Sequence, residues 1–201
     1  IIWRGSEMMA ISAQKNKINV AIATWEWPSY FSPEDRLRGI SLQTAEWRRP
    51  PANTAPTDAK AAGLYMICTL SKHKAEKEGF TDALMLDYEG KVCESTGSNI
   101  FFVFNGELHT PIPHCFLNGI TRQTAMSIAL NQNIKVVERD IYPEEIKDAD
   151  EIFLTGSAVE INPVRKIDNM EFKVGHITKM ISGLYLSEVD ENFQNNKENS
   201  Q

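Results

Sequence analysis

The stretch between residues 83 and 110 constrains this chain more than any other. Short apolar runs at 83–87, 91–94, 99–104 and 107–110 are separated by Tyr88-Glu89-Gly90, by a compact polar turn at 95–98 and by Asn105-Gly106. Runs of this length between turn-forming residues read as strands. An Asn-Gly pair between two of them is a strong hairpin signal, because both residues tolerate the positive φ that a tight hairpin turn requires. Four strands with such short links make an antiparallel meander, since parallel neighbours need a long crossover.

The flanks add helices to that sheet. Residues 18–24 alternate as a strand and run into an aromatic loop holding Trp25, Trp27, Tyr30 and Phe31. Residues 39–47 have strand character, and 48–56 hold three prolines in nine residues, which demands an extended connection. A helical pattern runs from 57 to 78 with Gly79 as its stop, and Ala59, Ala62, Met66, Ile67 and Leu70 would form its buried stripe. Residues 119–130 form a second helix, 135–141 a strand, 143–148 a short helix, and 151–155 and 161–167 two more strands. A last helix from His176 to about Val189 precedes a tail, 191–201, rich in Asn, Glu, Lys and Ser and expected to be disordered. A meander with interspersed helices predicts an α+β fold rather than a doubly wound sheet.

Composition bounds the function. Hydrophobic residues are 42% of the 201, enough for a buried core. A net charge of −6 leaves no electrostatic footprint for nucleic acid or an anionic membrane. No apolar run approaches the ~20 residues of a membrane span, and residues 1–10, with Arg4 and Glu7, do not make a signal peptide. Cys68, Cys93 and Cys115 lack metal-like spacing and predict free thiols in a reducing cytoplasm. The opening Ile1-Ile2-Trp3 is apolar, without an initiating Met, and reads as a chain cut inside a structure.

Several short segments could carry chemistry. Lys60 lies among Ala59, Ala61, Ala62 and Gly63, small neighbours that leave room beside an amine, with Tyr65 five residues on. A lysine in apolar surroundings more readily loses the proton that must leave before it can condense with an aldehyde. The ordinary alternative is a solvated lysine on a helix. Glu94 closes a strand before Ser95-Thr96-Gly97-Ser98-Asn99; it is either a solvated carboxylate or the partner of a cationic ring nitrogen, with Gly97 allowing backbone close to a flat ring. Gly119-Ile120-Thr121 at a helix start and Thr155-Gly156-Ser157-Ala158 after a strand are either simple caps or anion cradles. There is no GxGxxG, P-loop, HExxH or GxSxG, and His73, His109, His114 and His176 are scattered, against a metal site.

Taken in order, Ala59-Lys60-Ala61-Ala62-Gly63-Leu64-Tyr65, the Glu94–Asn99 turn, Leu117-Asn118-Gly119-Ile120-Thr121-Arg122 and residues 155–164 resemble the fold-type IV pyridoxal-5′-phosphate (PLP) aminotransferases. The similarity runs from residue 1 to about 185 and is closest to the branched-chain aminotransferases. The resemblance implies the large, D-amino-acid-aminotransferase-like cofactor domain at 32–190, with 1–31 as the end of an N-terminal domain and the interdomain segment. It implies that Lys60 carries PLP as a Schiff base and acts as the catalytic acid/base, that Tyr65 hydrogen-bonds the ring's 3′-oxygen and that Glu94 holds the pyridine nitrogen. Gly97 and Leu117 would sandwich the ring, and Ile120, Thr121, Gly156 and Ser157 would hold the phosphate. Ser157 and Ala158 amides would receive the substrate carboxylate, and Trp27 and Tyr30 would line a side-chain pocket for leucine, isoleucine or valine.

Two departures stand out. Nothing in the chain matches the family's N-terminal domain, which supplies a phosphate-binding arginine, and Ser157 stands where Thr is frequent. The implied activity is transamination between a branched-chain L-amino acid and 2-oxoglutarate by a cytoplasmic homodimer. A D-amino-acid aminotransferase, an aminodeoxychorismate lyase or a non-catalytic fragment on the same fold stay open.

Overall fold

The computed structural model describes residues 1–27 and 32–198. Strands β1 (Ile2–Arg4) and β2 (Ile18–Val20) form a separate antiparallel ribbon with Trp3 opposite Asn19. Helix α1 (Pro33–Arg38) starts at Ser32, whose hydroxyl accepts the Asp35 N–H. The remaining elements are β3 (Ile40–Arg49), α2 (Tyr65–Lys77), β4 (Asp82–Asp87), β5 (Val92–Ser95), β6 (Asn99–Phe104) and β7 (Glu107–Thr110). They continue with α3 (Ile120–Asn131), β8 (Val136–Glu138), β9 (Glu151–Gly156), β10 (Glu160–Ile167), β11 (Met170–Glu171) and α4 (His176–Glu198).

The meander is present: β4, β5, β6 and β7 pair antiparallel in sequence order, and Phe104 faces Glu107 across Asn105-Gly106, both at positive φ. The sheet is nevertheless mixed. β3 runs parallel to both β4 and β10, and β7 parallel to β8. β9 pairs with β10 on one side and β6 on the other, so β10, β3, β4, β5, β6 and β9 close into a ring. Alternate residues of that ring, among them Ile40, Leu42, Leu84, Val92, Ile100, Phe102, Ile152, Leu154 and Val164, form one buried cluster. The other face is covered by helices. Ala125, Ile128 and Ala129 of α3 and Ile181 of α4 pack on Phe101, Val103 and Phe153, and Ala75 of α2 packs near Ala45, Ala83 and Met85. Strands buried on both faces read as continuous apolar runs, which is why β6 is Ile-Phe-Phe-Val-Phe after its first residue.

The helix expected over 57–78 is shorter and shifted. Residues 57–61 make turns, with Ala59 N–H donating to Pro56 O and Ala61 N–H to Ala59 O, then Ala62–Leu64 form a 3-10 turn and α2 opens only at Tyr65. The Thr57 hydroxyl donates to His114 O at 3.4 Å, tying this segment to the loop before α3 instead of to a helical turn. Of the expected stripe, Ile67 is partly buried against the core, but the rest does not form it. Met66 and Leu70 are 66% and 45% exposed, and the helix buries Cys68, Ser71 and Ala75, small side chains that let it lie close against β3 and β4. The strands expected at 18–24 and 135–141 contract to the ranges given for β2 and β8. Helix α4 continues to Glu198, well past Val189, where no Gly or Pro interrupts the sequence. No helix among the described residues is long and apolar enough to cross a membrane.

Candidate active site

A cavity of about 630 Å³ opens where the ends of β5 and β9 and the start of β6 meet the start of α3 and the 58–65 segment. Its floor and walls come from four separate parts of the chain, each fixed by local structure.

Lys60 stands exposed at the cavity, its Nζ 5.9 Å from the centroid of the Tyr65 ring. Because the chain is turned here and not helical, Lys60 and Tyr65 reach the same space without helical spacing.

Glu94 lines the same cavity. It is 8% exposed at the end of β5, in register with Met85 and Asn99. Burial pushes its carboxyl up to about 7; the Arg49 and Lys60 charges oppose that rise, and Asp82 adds to it. Arg49, itself 5% exposed, brings Nε to 3.4 Å from Glu94 Oε1, yet that N–H donates to Cys115 O at 3.1 Å. Glu94 therefore has a cation nearby but no short charge-assisted bond. It is a desolvated carboxylate with capacity for one more cationic donor. Asp82 on β4 accepts from the Thr96 hydroxyl at 2.5 Å, which holds the 95–98 turn against the sheet.

The third part is the uncapped start of α3. Gly119 is its N-cap and offers no side chain, so the first N–H groups of a twelve-residue helix point out unclaimed by a capping side chain, with the positive end of the helix dipole. Asn99 fixes this start to the sheet: its Nδ2 donates to Leu117 O at 2.9 Å and its Oδ1 accepts Gly119 N–H at 3.2 Å. A Cβ at Gly119 would collide with Asn99 Oδ1, so glycine is needed for the approach. Arg122, fully buried in the first turn, donates to Asn118 Oδ1 at 2.8 Å, Pro111 O at 3.0 Å, Glu138 Oε2 at 2.6 Å and Thr110 Oγ1 at 3.3 Å. It is a strut for the loop, turned away from ligand chemistry.

The fourth part is the turn after β9, where Gly156 packs on Ser98 and Ser157 and Ala158 are exposed to the cavity. The Thr155 hydroxyl beside them is buried and has no hydrogen-bond partner.

Lys60, Tyr65, Glu94, Gly97, Leu117, Ile120, Thr121, Gly156, Ser157 and Ala158, ten positions singled out from sequence, all line this one cavity. Trp27 does not. It is 58% exposed and lies against Trp25, ring centroids 5.4 Å apart. Tyr30 lies outside the described residues. Sequence reasoning missed Arg49 and Asp82 and gave Thr96 no role of its own within the turn it named. Arg49 stands just before Pro50-Pro51 and looks like the start of a connection, whereas β3 continues through it; Asp82 precedes the apolar run by which β4 is recognised.

An amine, a desolvated carboxylate and an uncapped helix start around one cavity suit a small molecule that carries an anionic group and a basic atom. Residues 1–167 match the family described as amino-transferase class IV, and the chain belongs to that family. It is 38% identical over 175 residues to the branched-chain-amino-acid aminotransferase of Pseudomonas aeruginosa, covering 87% of this chain and 57% of that one. Among solved structures, the branched-chain amino acid aminotransferase of Escherichia coli superposes with a TM-score of 0.89 at 33% identity, covering 92% of this chain and 63% of that one. An aminotransferase from Brucella abortus bound to the cofactor PLP gives 0.76 at 32% identity, covering 92% and 65%. The chain thus spans about three fifths of the relatives it matches.

Proposed function

We propose that the full-length protein is a PLP-dependent transaminase that moves the amino group of L-leucine, L-isoleucine or L-valine to 2-oxoglutarate, giving a 2-oxo acid and L-glutamate. The observation that carries this reading is the convergence of Lys60, Glu94 and the open start of α3 on one cavity. Family membership and the names of the relatives supply the substrate class.

The residues present fit the cofactor. Gly97 has no atom within 4 Å of where its Cβ would stand, so the wall there is open for a flat ring. Thr155 Oγ1 is an orphan hydroxyl, and Glu94 is an underpaired carboxylate. Lys60 would hold PLP through Nζ, Glu94 its ring nitrogen and Tyr65 its 3′-oxygen, with Gly97 and Leu117 on the two ring faces. The α3 amides at Ile120 and Thr121, the Thr121 hydroxyl and the 156–157 segment would hold its phosphate. When bound, the cofactor supplies an electron sink that stabilises negative charge at the substrate's α-carbon.

The chain's own part is positioning and proton transfer. Lys60 Nζ takes the proton from the α-carbon of the amino donor and returns one to the α-carbon of the acceptor, first as base and then as acid. Glu94 keeps a proton at the ring nitrogen, since burial leaves the carboxylate in need of a cationic partner. Ser157 and Ala158 amides orient the substrate carboxylate. Residues 32–190 would form the cofactor unit, with 1–31 leading into it, and the protein would act in the cytoplasm as a homodimer.

The test is a donor panel of both enantiomers with full-length protein, following glutamate formation. L-leucine, L-isoleucine and L-valine should react with 2-oxoglutarate. Preference for D-alanine or D-glutamate would move the protein to the D-amino-acid branch, pyruvate release from aminodeoxychorismate to the lyase branch, and no reaction would leave a non-catalytic fold.

A further inference from the structure

Two thiols lie behind the Glu94 wall, in a place the proposed reaction does not use. Cys93 precedes Glu94 on β5, and Cys115 lies in the loop before α3; their sulfurs are 3.2 Å apart and each residue is 2% exposed. Their separation of 22 positions gave no hint of contact. Cys115 also lines a second cavity of about 350 Å³, walled by Ala52, Asp87, Lys91 and His114, distinct from the one that holds Lys60. That space admits a molecule as small as hydrogen peroxide, since a liquid water occupies only about 30 Å³.

We propose that Cys93 and Cys115 are a peroxide-reactive thiol pair that closes to a disulfide and, in closing, displaces the Arg49–Glu94 wall of the cavity. The chemical half of this stands on the two sulfurs alone; the consequence for cofactor binding rests on the function proposed above.

The chemistry balances with one equivalent of hydrogen peroxide as oxidant. Cys115 sulfur, as thiolate, attacks a peroxide oxygen; the O–O bond breaks, hydroxide leaves, and a sulfenic acid remains. Cys93 sulfur then attacks Cys115 sulfur; the S–S bond forms, the S–O bond breaks, and water leaves with the Cys93 proton. Two thiols and one peroxide become one disulfide and two waters, each sulfur losing one electron and each peroxide oxygen gaining one. The order of attack follows from access: Cys115 lines the second cavity, through which peroxide would arrive, and Cys93 lies behind it within contact of its sulfur.

Closure draws the two sulfurs together. A disulfide spans about 2.05 Å, so the sulfurs approach by roughly 1.1 Å. Cys93 lies within β5, at the residue where its pairing with β4 shifts register, whereas Cys115 sits on a loop, and the Cys115 carbonyl is the acceptor for Arg49 Nε. Leu117, two residues on, is a cavity wall. Drawing Cys115 toward β5 therefore alters both the cation that faces Glu94 and one side of the cavity.

The experiment treats the folded full-length protein with hydrogen peroxide, alkylates free thiols under denaturing conditions and maps peptides by mass. A Cys93–Cys115 cross-linked peptide lighter by two hydrogens, reversed by dithiothreitol, is expected, with Cys68 still alkylated. Cys93→Ser and Cys115→Ser should each abolish the cross-link, and Cys68→Ser should keep it. A sulfenic or sulfinic acid on Cys115 without the cross-link, a cross-link to Cys68, or a bound metal that protects both thiols would overturn the pair. Equilibrium titration with PLP reads the coupling: the oxidised protein should bind it at least roughly fivefold more weakly than the reduced one, the low end of ordinary coupling between sites. Cys115→Ser should show no such difference. A cross-link that leaves PLP affinity unchanged would overturn the coupling, and failure of both states to bind PLP would instead count against the proposed function.

Discussion

Replacing Glu94 by Gln tests the electrostatics of the cavity without a substrate. In the cofactor-free protein, burial raises this carboxyl from its usual 4.5 to about 7. Between those values the folded state binds more protons than the unfolded one, so stability must fall as pH rises. The contribution is fully present below about 4.5, is lost progressively as pH climbs through 7, and is flat above. A shift of that size corresponds to roughly 3 kcal/mol, which water entering the cavity would reduce. Glu94→Gln removes the titration but keeps the shape. The assay is urea unfolding of both proteins, stripped of cofactor, from pH 5 to 8, with the difference in unfolding free energy plotted against pH. Wild type should lose stability relative to Glu94→Gln across this range by about 2–3 kcal/mol. Saturating PLP should flatten the difference, because a ring-nitrogen cation favours the ionised carboxylate. Parallel curves for the two stripped proteins would show that Glu94 is an ordinarily solvated carboxylate and would remove the reason for assigning it to the ring nitrogen.

Three other substitutions follow from the same geometry. Gly119→Ala drives a Cβ into Asn99 Oδ1 and should cost about 1–3 kcal/mol of stability, with weaker PLP binding read by equilibrium titration. Arg122→Met strips the buried loop strut from Asn118, Pro111, Thr110 and Glu138 and should lower unfolding free energy by about 3–5 kcal/mol in urea. Thr155→Val replaces an unpartnered buried hydroxyl by an apolar group of the same shape; the stripped protein should change by less than about 1 kcal/mol, while PLP affinity falls.

How much of this was legible in the sequence depended on how local each signal was. The β6–β7 hairpin was readable because Asn105-Gly106 encodes its own turn. The closure of the ring was not, because β9 pairs with β6 and β10 through contacts that no local pattern announces. The cavity residues were readable as a set because four motifs kept their order, but the placement of Lys60 on a helix was wrong. Ala-rich residues 59–62 favour a helix on propensity, and the tie of Thr57 to the 111–119 loop overrides it. Arg49 escaped notice for a related reason: proline after it signals a break, and the strand simply runs to the break. The thiol pair is the extreme case, two residues without spacing logic that topology sets in contact.

The central claim is that Lys60 carries the cofactor, and the most direct measurement is covalent. Full-length protein saturated with PLP is reduced with borohydride, digested and mapped by mass. The phosphopyridoxyl group should be found on Lys60, and Lys60→Ala should neither retain it after reduction nor turn over, a loss of at least about a hundredfold in rate. Labelling of another lysine in the wild-type protein, or none, would contradict the account.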